Sequence, residues 1–464
     1  MLRLTVLYLF VAGLMALSVR RWFLALCGLL FLTVMMQNPN MPREMAGIKG
    51  MNPWNATFLV ILVSWALTRR ADPQRAPTSQ RALLLLSLYV AMLIITGLIA
   101  AGDADAFQSE GGEPRSVMDV VVDCIINPLK YLMVGVLFYD GATTRRRVKQ
   151  AIFAAVGSGM CYSLMMYKTL KMGVFTMDYS SARRATDKLV GLYANDMAEV
   201  LAFTLWAGLL ALFLLDRKTL QSAWLFALAV VVPTFLALKS RAGFLACCVT
   251  GVVLGLLKWR KILIAIPVML LGVVAFAPDV VDRVMTGVGV EAAGNNDWDA
   301  ISAGRTTYLW PPTLEQISRS PIVGHGRFAI LRTELYDRII AAGGGVPTHP
   351  HNSYFEVLLD AGVIGLAICL SCMWGLFRSS YVLLRERDDR LITALGAIAL
   401  IGILCELSAG VAGSSFYPTQ SAVPYLCVWG VAMRVLTERA AAMAGVETPR
   451  VWSDETLRLS TALR

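Results

Sequence analysis

Charge is what this chain most conspicuously lacks. Its 464 residues include 42 Lys and Arg and 32 Asp and Glu, 16% in all, and only three histidines. A soluble domain carries about 25% charged residues. With 57% hydrophobic residues and a mean hydropathy of +0.61, the deficit excludes an ordinary water-soluble domain. The apolar residues fall in long blocks, which points to an all-α polytopic membrane protein. The signatures of soluble nucleotide and hydrolase chemistry are missing too: no P-loop, G-x-G-x-x-G or G-x-S-x-G stands in a strand–turn–helix context. The nine cysteines all sit in apolar blocks, and the single C-x-x-C, Cys369 and Cys372, has no second pair to complete a metal or redox site. Small apolar helix residues are the simpler reading. No cleavable signal peptide is expected, because the first block ends in Arg20-Arg21 without a small-residue cleavage site.

What is there is a series of apolar blocks, at 2–19, 22–36, 53–68, 82–101, 118–139, 149–166, 190–215, 221–238, 242–257, 262–277, 355–377, 391–410 and 421–437. At about 20 residues per crossing these give twelve or thirteen transmembrane helices, the count depending on whether 22–36 crosses or only dips. The net charge of +10 reports orientation here and implies no nucleic-acid partner. Basic residues gather in one set of loops: Arg20-Arg21, Arg69 to Arg81, "RRRVK" (145–149), Arg217-Lys218, "KWRK" (258–261) and "RERDDR" (385–390). Short cytoplasmic loops carry the Lys/Arg excess, so this set faces the cytoplasm. The expected organisation is an N-terminal transmembrane bundle (1–277), a large periplasmic loop (278–354), C-terminal transmembrane helices (355–437) and a cytoplasmic tail (438–464).

A loop of that length is functional or disordered, and its aromatic content argues for order. "TLEQISRS" (313–320) and "RFAILRTELYDRIIAA" (327–342) have helical spacing. All three histidines, His325, His349 and His351, lie in it. His351 precedes Asn352 and Glu356, which share a helix face. From spacing alone His351 reads first as a packed or capping side chain, then as a base working near neutral pH, and last as a metal ligand with His349. Arginine collects on the same side: Arg241 in "LKSRAGFLA", Arg305 in "SAGRTTYLW", and Arg183 and Arg184 beside several lysines. Guanidinium groups grip phosphate oxygens bidentately and never lose their proton; singly, each could equally snorkel to lipid headgroups. "DAD" (103–105) and "DWD" (297–299) match a D-x-D of metal-dependent sugar transferases but are common by chance. Asp119, Asp123 and Lys130 share one apolar run, as part of a substrate groove or as a structural Asp123–Lys130 pair.

Taken together, "HPHNSYFEVLLDAGVIGL" (349–366), "SRAG" (240–243) and "GRTTYLWPPTLEQISRSPIVGHG" (304–326) resemble the signature of the O-antigen ligase and polysaccharide polymerase superfamily. "MQNPNMPREMAG" and "GLYANDMAEVLAF" are similar to its O-glycosylation ligase-like branch. The resemblance implies a GT-C-like helical bundle and transfer of a glycan from an undecaprenyl-diphosphate carrier to a hydroxyl acceptor, outside a bacterial inner membrane. It implies an inverting reaction with no metal and no cofactor. His351 would be the base, Arg241 and Arg305 would hold the diphosphate with Arg183 and Arg184 beside them, and His349, Asn352, Glu356 and Ser240 would support. The lipid A-core is the expected acceptor, a growing glycan (a polymerase) or a protein hydroxyl the alternatives. A lipid-linked oligosaccharide flippase is the reading from another class; it predicts internal repeats and charge deep in several spans, and no repeat is evident.

Overall fold

The computed structural model describes residues 2–45, 47–71, 79–107, 115–171, 179–276, 278–286, 302, 304–343, 348–414 and 416–443. Its helices are α1 (Leu2–Met35), α2 (Pro53–Ala71), α3 (Gln80–Gly102), α4 (Val117–Gly141), α5 (Arg145–Lys171) and α6 (Tyr179–Val190). They continue as α7 (Ala194–Leu212), α8 (Lys218–Ala237), α9 (Arg241–Leu257), α10 (Lys261–Phe276) and α11 (Pro278–Met285). The last six are α12 (Trp310–Arg319), α13 (Ala329–Arg332), α14 (Leu335–Ala341), α15 (Ser353–Leu384), α16 (Arg390–Ala409) and α17 (Val423–Met443). One small antiparallel hairpin, β1 (Glu44–Met45) with β2 (Ile48–Lys49), interrupts the all-helical pattern. The protein is an all-α, multi-pass membrane protein.

Among the described residues seven helices are long and apolar enough to cross a membrane, or eight if the bent pair of α10 and α11 makes one span. That is fewer than the twelve or thirteen expected. The blocks 2–19 and 22–36 are two helical segments of α1, joined at a kink at Arg21. Others start in charge, as α5 does with three arginines, or are cut short, as α9 is at 17 residues.

Hydrophobicity cannot choose which helices lie inside, since lipid is as apolar as leucine; close packing does. In α16 89% of the span is buried, whereas in α3 and α8 only 28% is, so α16 is a central post and α3 and α8 face lipid. Where α4 crosses α17 the backbones nearly touch: a β-carbon on Gly430 would lie 2.2 Å from the Gly135 carbonyl oxygen.

The large loop forms a cap with its own core: Leu309, Ile317, Ala329, Ile330, Leu335 and Ile339 close on Leu359 of α15. The helix expected over 313–320 is present and starts earlier, at Trp310, with prolines in its first turn. The single helix expected over 327–342 is instead two short ones. Phe328 takes a left-handed conformation before α13, and Thr333 is extended after it, its hydroxyl accepting from the Leu335 amide.

Candidate active site

The site is organised by a break in α15. "VLLDAGVIGL" reads as an unbroken apolar run, but Gly362 has φ 63° and ψ −167°, a region open essentially to glycine alone. Breaking the helix frees backbone groups that must find partners, and the segment 321–326 supplies them. The amides of His325 and Gly326 donate to the carbonyls of Leu359 and Asp360, both at 2.8 Å, and Val363 and Ile364 donate to Pro321 and Ile322. The "SPIVGHG" stretch is thus a strap laid into the helix break. A β-carbon at Gly362 would fall 2.2 Å from the Ile322 carbonyl oxygen. Gly362→Ala is therefore expected to lose at least about 1–3 kcal/mol from strain and to release the strap, read as faster proteolysis of the cap; unchanged proteolysis would contradict the assignment.

Beneath the strap sits a buried charge network. Arg327, 7% exposed, donates from one nitrogen to Glu356 (2.6 Å) and Asp360 (2.8 Å), one turn apart on α15. Its plane lies 3.6 Å from the centre of the Tyr417 ring, and its amide donates to the Thr96 carbonyl on α3. Burial alone would weaken the guanidinium's hold on its proton; Glu356 and Asp360 more than reverse this, raising its pKa above the ordinary value. Asp360 also accepts from the Ala329 amide. Arg332 adds a second stitch, to Asp103 of the "DAD" stretch and to the carbonyls of Arg327 and His325. One end of the cap is thereby fixed to α3, α15 and the loop before α17.

The histidine pair stands at the mouth of α15. Asn352 is the N-cap, its side-chain oxygen accepting from the amides of Tyr354 (3.0 Å) and Phe355 (3.1 Å). The preceding turn is held by Trp310, whose indole donates to the Pro350 carbonyl and whose ring packs edge-on against Phe355. This turn forces His351 to φ 52°. The two imidazoles lie 4.0 Å apart, and the His351 amide donates to Nδ1 of His349 at 3.1 Å, leaving the neutral His349 ring its proton on Nε2. Burial, with the charges of Arg327 and Arg305 against that of Glu356, lowers the His349 pKa. Burial, then His349, Arg305 and Arg183, push that of His351 down to about 2. Both rings are thus neutral near pH 7 and sit in a positive field.

The other expected site residues distribute as follows. Arg305 opens the turn before α12, and Arg183 projects from α6; both act on His351 through charge. Arg184, next to Arg183, is exposed and bonds Ser181. Ser240 caps α9 by accepting from the Gly243 amide and donates to Asn195. Arg241 donates to the carbonyls of Arg283 and Thr286, at the end of α11, a favoured place for a cation. Glu356 belongs to the Arg327 network. His325 stands apart from the pair and donates from Nε2 to the Gln316 carbonyl, so the three histidines do not form one cluster.

Three further expectations resolve here. Asp123 pairs with Arg115 at 3.2 Å, not with Lys130, which bonds Asn55 and Asn127 over the Trp54 ring. Seven positions place Asp123 and Lys130 about 10 Å apart along the axis, and nearer partners win. All nine cysteines are free, Cys369 packing on Met92 and Cys372 facing the Leu85 carbonyl. The "DWD" stretch lies outside the described residues. Among those described, no group of three or more His, Cys, Asp or Glu could hold a metal ion.

Sequence reasoning overlooked Arg327, Asp360, Tyr417 and the break at Gly362. A signal for the first two was present: acids four apart in an apolar run repel unless a cation sits between them.

No curated protein matches the chain. A family model described as O-Antigen ligase matches residues 224–370, the stretch that contains Ser240, Arg241, Arg305, the strap, Arg327 and the histidine pair. That match supports a ligase- or polymerase-type function in general. Over those residues the chain is similar to the O-antigen ligase family, and the match supports a place in that superfamily.

Proposed function

We propose that this protein is a glycosyltransferase of the ligase type, moving a glycan from an undecaprenyl-diphosphate carrier to a hydroxyl of the lipid A-core at the periplasmic face of the inner membrane. The observation that supports it best is the neutral His351 held under the charges of Arg305 and Arg183. Such a field suits a diphosphate, which Arg grips through paired N–H groups. Burial and His349 depress His351 most; a bound anion offsets the part due to Arg305 and Arg183 and so makes the imidazole a stronger base.

In the proposed reaction His351 takes the proton of the acceptor hydroxyl. The oxygen attacks the anomeric carbon from the face opposite the carrier, and the carbon–oxygen bond to the diphosphate breaks with inversion. Its electron pair stays on the diphosphate, where Arg305 and Arg183 meet the developing charge, with Arg184 at the margin. Arg241, at the end of α11, holds the diphosphate together with Arg305, and Ser240 fixes the start of its helix. His349 holds the His351 backbone, Asn352 sets the helix mouth, and Glu356 anchors the turn below. No nucleotide is needed, because the lipid diphosphate arrives activated.

Arg305 carries a direct test. Arg305→Lys keeps the charge but loses the planar fork, and turnover on a lipid-linked glycan is expected to fall about tenfold or more, the scale of one charge-assisted hydrogen bond. Unchanged turnover would remove Arg305 from the diphosphate.

A further inference from the structure

A second site lies away from the histidines, in a groove of about 1290 Å³ bounded by α3, α4, α15 and α17. Its two ends differ in charge. α3 ends at Gly102, and its C-cap Asp103 is tied to the cap through Arg332, so the groove end at Tyr89 and Phe416 is the cap end. Glu406, a buried acid, lines that end. The far end is lined by Arg69, Arg81 and Arg378. Asp140 neutralises Arg69; Arg81 and Arg378 are exposed, and among the described residues no acid pairs with either. Between the ends the walls are apolar, with Leu132, Leu370, Met373 and Met433 among them.

Along α15 the lining runs from Ala367 to Val382, about 22 Å at 1.5 Å per residue. One leaflet of a bilayer offers about 15 Å of hydrocarbon, so an acyl chain fits along the walls. A lipid laid here with its phosphate at the cap end would meet no basic side chain among the lining residues; reversed, its phosphate would meet two arginines. We infer that the groove binds an anionic glycerophospholipid, of the phosphatidylglycerol type, with its headgroup on Arg81 and Arg378 and its acyl chains directed toward the cap. Zwitterionic lipids are disfavoured because their ammonium would join a site already carrying two uncompensated cations. On the loop-charge orientation, the headgroup stands in the cytoplasmic leaflet, opposite the proposed reaction.

Native mass spectrometry of the full-length protein, with equal amounts of dioleoyl phosphatidylglycerol and dioleoyl phosphatidylethanolamine, tests this. Retained phosphatidylglycerol is expected to exceed phosphatidylethanolamine by about tenfold, in keeping with two arginines at an anionic headgroup. The exposed double variant R81Q/R378Q should erase the preference. Ser371→Trp, which fills the groove, should lower retention of both lipids. His351→Asn should leave the preference intact while abolishing transfer, so loss of transfer and loss of lipid binding are separable. Equal retention of the two lipids, or a preference unchanged in R81Q/R378Q, overturns the inference. So does displacement of phosphatidylglycerol by a polyprenyl diphosphate that proceeds equally well in R81Q/R378Q.

Discussion

Replacing His351 is expected to reduce glycan transfer by a factor of about 10²–10⁴, the contribution of a positioned general base, while binding of the lipid-linked donor persists. The choice of substitute matters, because residue 351 sits at φ 52°. Alanine there adds strain, whereas asparagine tolerates the left-handed region and cannot take a proton. His351→Asn is therefore the cleaner variant, and His351→Gly, unstrained and leaving room for added imidazole, is the one in which partial rescue is expected. A pH signature accompanies it. The folded pKa of His351 is lowered to about 2 from about 6.5 in an unfolded chain. Its stabilising contribution is thus complete above about pH 6.5 and is lost progressively as pH falls toward 2. By pH 5 the wild type should have lost up to about 2 kcal/mol relative to His351→Asn, measured as the difference between their thermal transitions in detergent. A diphosphate, by offsetting the field of Arg305 and Arg183, should shrink that difference. Parallel transitions at all pH values would show that His351 is not held neutral.

The second large effect concerns stability. Arg327 serves two acids that burial has cut off from water. Arg327→Met would leave Glu356 and Asp360 facing each other without a cation, and orphaning a buried charge costs about 3–5 kcal/mol. The expected result is a large fall in the thermal midpoint together with loosening of the strap and of the histidine turn, so transfer falls as well. Two companions separate charge from shape. Arg327→Lys keeps a cation but loses the flat face that stacks on Tyr417, and should be intermediate. Arg327→Met with Glu356→Gln and Asp360→Asn removes the entire charged set, and should recover much of the lost stability, since a buried network adds little net stability over neutral partners. A triple variant no more stable than Arg327→Met would show that the network matters through its geometry rather than its charge balance.

The parts legible in the sequence were those written contiguously. His349, His351, Asn352 and Glu356 stand within eight residues in a chain poor in polar groups, and the apolar blocks announced the bundle directly. Arg305 and Arg183 could be recognised as a class of residue, though the field they cast on His351 could not be read from their positions. Three things stayed hidden. The helix break at Gly362 looks like any glycine in a membrane span, because what demands it is the strap 40 residues upstream. Arg327 and Tyr417 belong to segments 90 residues apart that meet only in the fold. Span lengths were hidden for a related reason: apolarity shows that a segment can sit in lipid, but whether neighbouring blocks run on or turn, as α1 does at Arg21, depends on packing.

The most direct measurement is a two-substrate turnover with the purified full-length protein in nanodiscs, supplied with an undecaprenyl-diphosphate glycan and lipid A-core, the products sized over time. A single glycan addition to the core is expected from the wild type, and none from His351→Asn that still binds donor. A ladder of extended glycans, or equal turnover in the His351→Asn protein, would contradict it.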